Sequence, residues 1–486
     1  MPSFWLICSV KRHAGIPVRV GKGMGSVMRE LDFLFVYEHK VRELETLCLV
    51  KYELDRRGYR TEIRYIEDAE NALAVKPFIH TKVLLVMACY DNHALAWQVK
   101  DYVKFDKIID MQWENIVYPK DEDRADAFKN YKEIGQEVVR VSWGRQNERR
   151  MLQVAHMDPG KLKVIGHAGM DFLRYPLSRY YLGREELFAK YQISTDKKVL
   201  LFASPYYGDQ LEESYIADMC SRFGDNWVDY YQFMCDSQKQ VLEWIEEICR
   251  KDENLFFIFR PHPGHPSHCA QEVEQRCPNF RIIGGESVKQ WIVTCDKVYT
   301  GNSSVVVEAF FARKMCQLLF PLPATEGFEL KLISDSAKIQ DFDSFRSSVY
   351  AEQEAFPTPV ESIEEIYLVD WDKPSYLKFA DMAEEVLKND YYKLSEEQLK
   401  QCRPVYTGVT KWVKRLSKCD ILYKPYLKLL GMDRLKTGFL ERQRKIREQA
   451  YRIEQEHSHE LTSQKEIQEI CGRIAKALDD AQGTEL

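Results

Sequence analysis

The sequence lacks several features that mark common classes of protein. Its 13 cysteines are scattered, odd in number and contain no CxxC pair, so neither a disulfide framework nor a zinc ribbon is readable. No run approaches the roughly 20 apolar residues that a membrane-spanning helix needs, and MPSFWLICSVKRHAG has no clear signal-cleavage site. The formal net charge of -6 argues against a general nucleic-acid binder. These absences predict a protein of the reducing cytoplasm that does not bind nucleic acid.

The length of the chain predicts more than one domain. At 486 residues it exceeds one ordinary hydrophobic core, so we expect two similar domains with accessory segments. Residues 1–28, ending VGKGMGSVM, are Gly-rich and aperiodic, which predicts a flexible N-terminal extension. The GKGMGS stretch does not match the P-loop order GxxxxGK[ST], so we expect no phosphate cradle there.

The first half of the chain alternates strand and helix patterns. The stretches LDFLFVYEH, YRTEIRYIE, TKVLLVMACYD and FDKIIDMQWEN have strand patterns, whereas VRELETLCLVKYELDRRG and HALAWQVKDYVK have helical spacing. Such alternation predicts a parallel sheet with both faces covered by helices. We assign this domain to residues 29–180.

A second α/β series begins at KKVLLFASPYYG. It continues with a helix from about residue 236 to 251, the strands LFFIFR, FRIIGG and KVYTGN, and the helical stretches SVKQWIVTCD and SSVVVEAFFARK. Residues 181–360 are therefore predicted to form a second domain, and two such halves imply a cleft. The highly charged composition of residues 361–486 predicts a helical region. Its helices are either solvated or self-associating, or they dock onto a membrane surface or a partner.

Polar side chains follow three predicted strands of the second half. Ser204 comes after VLLFA, Arg260 and His262 come after LFFIF, and residues 302–304 come after KVYTG. Because ligands of parallel sheets bind beyond the carboxyl ends of the strands, we expect these loops to form one pocket. In GNSSVVVEA, Ser303 or Ser304 can cap the next helix, leaving backbone N–H groups for an anion, or can be a plain helix cap.

The loop RPHPGHPSHC contains three histidines. A metal site would need His262, His265 and His268 to converge, but the intervening prolines exclude a regular helix and the loop has no Asp or Glu. We therefore predict no metal there. Arg260, with its planar fork of donors, and His262 suit recognition of an anion or a base, with a structural turn as the alternative.

Two motifs at this spacing resemble a known family. RPHP at 260–263, followed by CDKVYTGNSSVVVEAFFARK at 295–314, resembles the C-terminal half of GT-B glycosyltransferases that make bacterial surface polysaccharides. The pattern is similar to the surface carbohydrate (capsule and lipopolysaccharide) biosynthesis proteins, and the HP and Ser-Ser motifs resemble those of CMP-sugar-using sialyltransferases and Kdo transferases. SWGRQNERRML, KLKVIGHAGMDFLR and FLFVYEHKVRELETLCLVKYELDRRGY extend the resemblance over roughly residues 31–330.

The resemblance implies an α/β GT-B fold, with two Rossmann-like domains facing a cleft, and a nucleotide pocket. In the resembled enzymes the HP histidine contacts the cytidine nucleotide and the Ser-Ser pair holds its phosphate. This implies nucleotide-binding roles for His262 with Pro263 and for Ser303 with Ser304. The remaining residues implied in this pocket are Ser204, Arg260 beside the departing phosphate, Asn302, and Glu308 at a ribose-binding position. GT-B enzymes typically need no bound metal, so no cofactor is expected.

The N-terminal half would bind the acceptor and supply a general base. Removal of a proton from a sugar hydroxyl calls for an ionised Asp or Glu at the cleft rim, and the candidates after predicted strands are Glu38, Asp91 and Glu114. The sialyltransferase motif D/E-D/E-G has its nearest equivalent in QWEN, which has one acid and no Gly. Glu43, beside Arg42, is a further candidate or simply an ion-paired helix start.

The resemblance predicts a glycosyltransferase that takes a CMP-linked donor, Kdo or sialic-acid-like, to a glycan or lipid-linked glycan acceptor. Alternatives are a polyol-phosphate transferase using CDP-glycerol, a non-catalytic GT-B scaffold, and a sugar-nucleotide epimerase. A cytoplasmic location is expected. Whether the C-terminal helices also contact the inner face of the membrane or an assembly complex is left open.

Overall fold

A computed structural model of the chain describes most of the residues from 29 onward. The described residues are 29–66, 79–92, 95, 103–112, 115–116, 131–153, 155–206, 209, 211–262, 267–401 and 458–482. They form two parallel sheets with helices, which confirms the predicted α/β class. The predicted flexible extension, residues 1–28, lies outside this part of the chain.

The first sheet has six parallel strands in the order β2-β1-β3-β4-β5-β6. The strands are β1 (Arg29–Tyr37), β2 (Thr61–Tyr65), β3 (Ile79–Val86), β4 (Val103–Asp110), β5 (Val139–Ser142) and β6 (Leu162–Val164). Their apolar runs are buried because helices cover the sheet, and the last seven residues of β1 are all buried. The predicted helix HALAWQVKDYVK was wrong at its end, since β4 already begins at Val103.

The second sheet has five parallel strands in the order β11-β10-β7-β8-β9. The strands are β7 (Lys198–Ala203), β8 (Leu255–Arg260), β9 (Phe280–Ile282), β10 (Lys297–Thr300) and β11 (Cys316–Leu318). The three strands that precede the candidate loops, β10, β7 and β8, are therefore neighbours, with Ala203 paired to Arg260. The short strand β11 was not predicted.

The helices are numbered in chain order. They are α1 (Lys40–Arg56), α2 (Ile134–Glu137), α3 (Arg145–Gln153), α4 (Arg184–Lys190), α5 (Glu213–Phe223), α6 (Trp227–Lys251), α7 (His268–Arg276), α8 (Val288–Thr294), α9 (Val305–Phe311), α10 (Phe342–Tyr350), α11 (Val360–Ile366), α12 (Ser375–Lys388), α13 (Glu396–Gln401) and α14 (Gln464–Gln482). Helix α6 starts earlier than its sequence pattern predicts, and α5 was not predicted. No described helix is long and apolar enough to cross a membrane.

Helix α12 returns the chain from the second sheet to the first, where it packs on α1, β3 and β4. Asp171 accepts a hydrogen bond from the Tyr376 N–H at the start of the helix, at 2.8 Å. Lys107 donates from Nζ to the carbonyl oxygens of Val386 and Leu387 at the other end, at 2.8 and 2.7 Å. An acid at the N-terminus and a cation at the C-terminus both complement the helix dipole. These contacts fix α12 on the first sheet.

Helix α14 also packs against the first half of the chain. It lies on α1 and on the 3-10 turn Leu177–Tyr180. Its apolar face is buried, and the buried residues are Ile467, Ile470, Ile474 and Ala477. Parts of the predicted helical C-terminal region therefore belong to the covering layer of the first sheet. The predicted domain limits at residues 180 and 360 stay predictions.

A buried ion pair joins β4, β5 and the loop after β3. Asp110 and Arg140 form the pair, and neither side chain is exposed. The backbone N–H groups of Cys89 and Gln112 donate to the Asp110 carboxylate at 2.7 and 2.8 Å. Arg140 donates to the carbonyl oxygens of Cys89 and Gly135, each at 2.9 Å. This hydrogen bonding satisfies two charges that would otherwise be costly to bury.

We expect Arg140→Met to destabilise the protein strongly, because it leaves the Asp110 carboxylate buried without its cation. The free energy of unfolding, measured in urea, should fall by roughly 3–5 kcal/mol. Lys251→Met removes an exposed i,i+4 ion pair with Glu247 and serves as control, with an expected loss below about 1 kcal/mol. Equal losses in the two variants would contradict this role of the pair.

Candidate functional site

The carboxyl ends of β10, β7 and β8 bring the candidate residues of the second half to one edge of the sheet. The Ser204 N–H donates to the Arg260 carbonyl oxygen at 3.0 Å, which joins the loops after β7 and β8. At Gly301, after β10, an added Cβ would lie only 3.0 Å from Cγ of Pro205. The three loops are therefore in close contact, as expected for parallel neighbours.

Arg260 is a partly buried cation at this edge. Its Nη1 donates to the carbonyl oxygens of Gly284 and Gly285, at 3.3 and 2.9 Å, which fixes the guanidinium above the end of β8. Burial lowers the pKa of Arg260, while the nearby Glu308 opposes the shift. An arginine stays charged even so. Its other nitrogens have no partner within the described part of the chain, so they can donate to an anion.

Glu308 lies in the first turns of α9, near the cations Lys289 and Arg260. The residue is partly buried. Burial raises the pKa of Glu308, and the nearby cations Lys289 and Arg260 oppose this rise. The carboxylate makes no hydrogen bond or ion pair to any residue that the structure describes. It is therefore available to accept hydrogen bonds from hydroxyl groups of a ligand.

The Ser-Ser motif lies at the start of α9. The Ser303 hydroxyl accepts a hydrogen bond from the Val305 N–H at 3.2 Å. Ser304 occupies the N-cap position without a cap hydrogen bond from its side chain. The local capping role predicted for one of the two serines thus falls to Ser303. Because α9 has only seven residues, hydroxyl and N–H groups matter more here than the dipole of so short a helix.

Two of the predicted nucleotide-binding residues are engaged within the protein. The Asn302 amide donates to the Phe328 carbonyl oxygen at 2.7 Å and accepts from the Leu330 N–H at 2.9 Å. The buried Ser204 hydroxyl accepts from the Tyr206 N–H at 3.3 Å. Both side chains therefore shape the loops around the pocket.

The His-rich loop is described only at its two ends. His262 is partly buried at the pocket edge, whereas Pro263 and residues 264–266 lie outside the described residues. His268 pairs through Nδ1 with Asp209 at 2.9 Å. Although burial opposes it, hydrogen bonds from Cys269 and His268 lower the pKa of Asp209 to about 2. Within the described residues, no group of three or more His, Cys, Asp or Glu could hold a metal.

The proposed bases of the first half lie in different settings. Glu38 follows β1 and its backbone N–H donates to Glu43 Oε2 at 2.9 Å. Glu43 is fully buried, and Arg42 donates to it at 2.8 Å. Glu43 therefore matches the ion-paired helix start, the second of its two interpretations. Asp91 is partly buried beyond the end of β3, and Glu114 lies outside the described residues.

One contributor to this edge of the first sheet was not predicted. Glu460, from near the end of the chain, accepts a hydrogen bond from the Lys40 N–H at 2.5 Å, and its carbonyl accepts from the Tyr37 hydroxyl at 2.6 Å. Its carboxylate lies 3.9 Å from Nδ1 of His39. No local sequence signal links residues 420 apart, so only the amphipathic pattern of α14 could have indicated this contact.

His167, on the turn after β6, is a second residue that the sequence analysis missed. Its Nδ1 accepts a hydrogen bond from the Gly169 N–H at 2.9 Å, and its ring centroid is 4.3 Å from that of Trp143. Burial lowers the pKa of His167 to about 3, and the nearby Lys289 adds to the effect. The ring is therefore neutral at physiological pH.

The turn that follows His167 is where the two halves of the chain meet. The 3-10 turn Ala168–Leu173 packs beside both α8 and α9 of the second half. Leu182, in the following linker, donates its N–H to Gln290 Oε1 at 2.8 Å, and Gln290 Nε2 donates back to the Leu182 carbonyl at 3.0 Å. These contacts bring the turn that follows His167 against the two helices that carry Lys289 and Glu308.

We expect His167→Gln to reduce the loss of stability at acid pH. The pKa of His167 is about 3 in the folded protein and about 6.5 in the unfolded chain. Between pH about 3 and pH about 6.5 the histidine therefore binds a proton mainly in the unfolded chain. Stability is thus fully present above pH about 6.5 and falls as the pH falls towards 3. Urea unfolding at pH 7 and pH 4.5 should show a smaller difference in the variant. His459→Gln, at an exposed histidine, should keep the wild-type difference, and an unchanged difference in His167→Gln would refute the assignment.

Two parallel α/β sheets, joined by a linker and by a C-terminal helix that returns to the first sheet, make up a recognised architecture. The chain has the GT-B fold. No protein-family model and no curated protein matches the sequence.

Solved structures with similar folds include the Wall Teichoic Acid Polymerase TagF, at 12% identity and a TM-score of 0.45, covering 73% of this chain and 88% of that one. A putative UDP-N-acetylglucosamine 2-epimerase from Listeria monocytogenes is 12% identical with a TM-score of 0.43, covering 79% and 100%. The UDP-GlcNAc 2-epimerase from Neisseria meningitidis, bound to UDP-GlcNAc, is 12% identical with a TM-score of 0.44, covering 74% and 100%. Similarity at this level does not assign a function.

Proposed function

We propose that the protein is a glycosyltransferase of bacterial surface polysaccharide synthesis. It would transfer a sugar from a CMP-linked donor, Kdo or sialic-acid-like, to a glycan or lipid-linked glycan. The observation that carries the proposal is the Glu308 carboxylate, which lies near the Arg260 cation and makes no hydrogen bond to any residue that the structure describes. A carboxylate of this kind suits the two hydroxyls of a ribose, and the cation suits the adjoining phosphate.

The residues at the edge of the second sheet have complementary roles in this proposal. Glu308 would accept hydrogen bonds from the ribose, and His262, held between Pro261 and Pro263, would contact the nucleotide. Arg260 and the hydroxyls of Ser303 and Ser304 would hold the phosphate. Positive charge and donors fixed at the leaving phosphate stabilise the negative charge that develops on it during transfer. The proposed step requires no divalent ion.

The acceptor would bind at the carboxyl edge of the first sheet. Glu38 lies directly after β1 at that edge, which makes it a candidate general base together with Asp91 and Glu114. The segment around Glu460 docks beside Glu38 and would form part of the wall of the acceptor site. Asn302 and Ser204 would act by positioning the loops of the donor side.

We expect CMP to stabilise the protein against heat and Glu308→Gln to weaken CMP binding. Loss of a charged acceptor for the ribose hydroxyls should lower CMP affinity, measured by calorimetry, about tenfold or more. His262→Ala should also weaken CMP binding while the fold is retained. Glu247→Gln, at an exposed glutamate of α6, is the matched control and should bind CMP as the wild type does.

Comparison of nucleotides separates the alternatives. Stabilisation by UDP alone would contradict a cytidine donor, and epimerisation of a UDP-sugar would favour the epimerase. Hydrolysis of CDP-glycerol in place of a CMP-sugar would favour the polyol-phosphate transferase. Enzymes of that kind also combine an HP-type loop with a later Ser-Ser pair. A scaffold would bind none of these nucleotides and turn over none.

A further inference from the structure

Lys289 is a cation near Glu308 that the proposed nucleotide contacts do not use. It is the second residue of α8, and its N–H donates to the Ser287 hydroxyl at 3.3 Å. The side chain is partly buried, and within the described chain its ammonium group makes no hydrogen bond or ion pair. The buried Lys297, by contrast, donates to the Ser348 carbonyl oxygen and to Glu354. A partly desolvated charge without a partner is costly unless a ligand supplies one.

Lys289 lies between the two halves of the molecule. Its helix, α8, packs against the turn Ala168–Leu173 of the first half and against α9, which carries Glu308. Helix α8 is held in this position because its next residue, Gln290, exchanges two hydrogen bonds with Leu182 of the linker. Arg260, in contrast, is bound to the loop after β9, at the end of β8. Arg260 is therefore fixed at the edge of the second sheet, whereas Lys289 lies on the helix that contacts the first half of the chain.

We propose that Lys289 binds a second anionic group of the donor, beyond the phosphate attached to the ribose. This inference rests on the proposed function, in which the ribose lies at Glu308 and its phosphate at Arg260. The group transferred to the acceptor must then lie on the side of Lys289 that faces His167. The ammonium group offers three hydrogen-bond donors and suits a carboxylate or a phosphate. The donor would accordingly be an acidic sugar carried on CMP, or a group carried on a diphosphate.

The geometry also assigns a selective effect to Lys289. Because Arg260 and the serines already contact the first phosphate, loss of the Lys289 charge should matter little for CMP. It should matter for ligands with a second anionic group beyond that phosphate, and the difference should shrink at high salt, since partly exposed charges are screened.

The test measures the affinities of CMP, CDP and CMP-linked sialic acid by calorimetry for the wild type, Lys289→Gln and Lys289→Arg. Lys251→Gln, at an exposed lysine of α6, is the matched control. Lys289→Gln should weaken binding of the ligand whose second anionic group it contacts, either CDP or CMP-linked sialic acid, about tenfold or more, and CMP binding less than about twofold. Lys289→Arg should restore most of the lost affinity because the charge is kept. Selective loss for CDP identifies a second phosphate as the occupant, and selective loss for CMP-linked sialic acid identifies a carboxylate.

If Lys289→Gln changes the affinities of all three ligands equally, or changes none of them, the inference is overturned. The proposed function still stands in that case, provided that the wild type binds CMP. A wild-type protein that binds none of the three would overturn both. A melting temperature of unliganded Lys289→Gln that is no lower than that of the wild type, together with its CMP binding, shows that the variant is folded.

Discussion

The arrangement of the whole molecule depends on how α12 is held against the first sheet. Asp171 binds the start of this helix and Lys107 its end, so a helix that follows the second sheet in sequence belongs to the first in space. The segment before α12 is fixed by Trp371, whose ring centroid lies 4.9 Å from the Arg174 guanidinium and 4.8 Å from that of Arg313. Arg174 comes from the linker and Arg313 from just beyond α9. One tryptophan of the segment that returns to the first sheet thus contacts both the linker and the second half of the chain.

The chemistry of the cleft follows from this arrangement. The second sheet presents Arg260 and Glu308 at its carboxyl edge, and the first sheet presents Glu38 at its own. The turn Ala168–Leu173 of the first half packs on α8 and α9 of the second half. Burial at this junction keeps the His167 ring neutral by lowering its pKa, and the Glu308 carboxylate lies near both Lys289 and Arg260. Such a site favours an anionic ligand with hydroxyl groups.

Much of the fold could be predicted because the signals are local. Runs such as LFFIFR and TKVLLV are continuously apolar, as strands covered on both faces must be, and parallel pairing then places Ser204 and Arg260 side by side. The three-residue strand β11 gave too short a pattern to recognise. Other contacts join residues that are distant in sequence, so no local pattern predicts them. The Asn302 amide is hydrogen-bonded to Phe328 and Leu330, and Glu460 is hydrogen-bonded to Lys40. Lys289 looks like any lysine at a helix start, and only its position between the halves distinguishes it.

The central claim is that Glu308 and Arg260 form the ribose and phosphate positions of a nucleotide pocket. A crystal structure of the chain with CMP tests it most directly. The account predicts ribose hydroxyls within hydrogen-bond distance of the Glu308 carboxylate, with the phosphate between Arg260 and the hydroxyls of Ser303 and Ser304. CMP bound away from the edge formed by β10, β7 and β8, or bound there with its ribose turned away from Glu308, would contradict it.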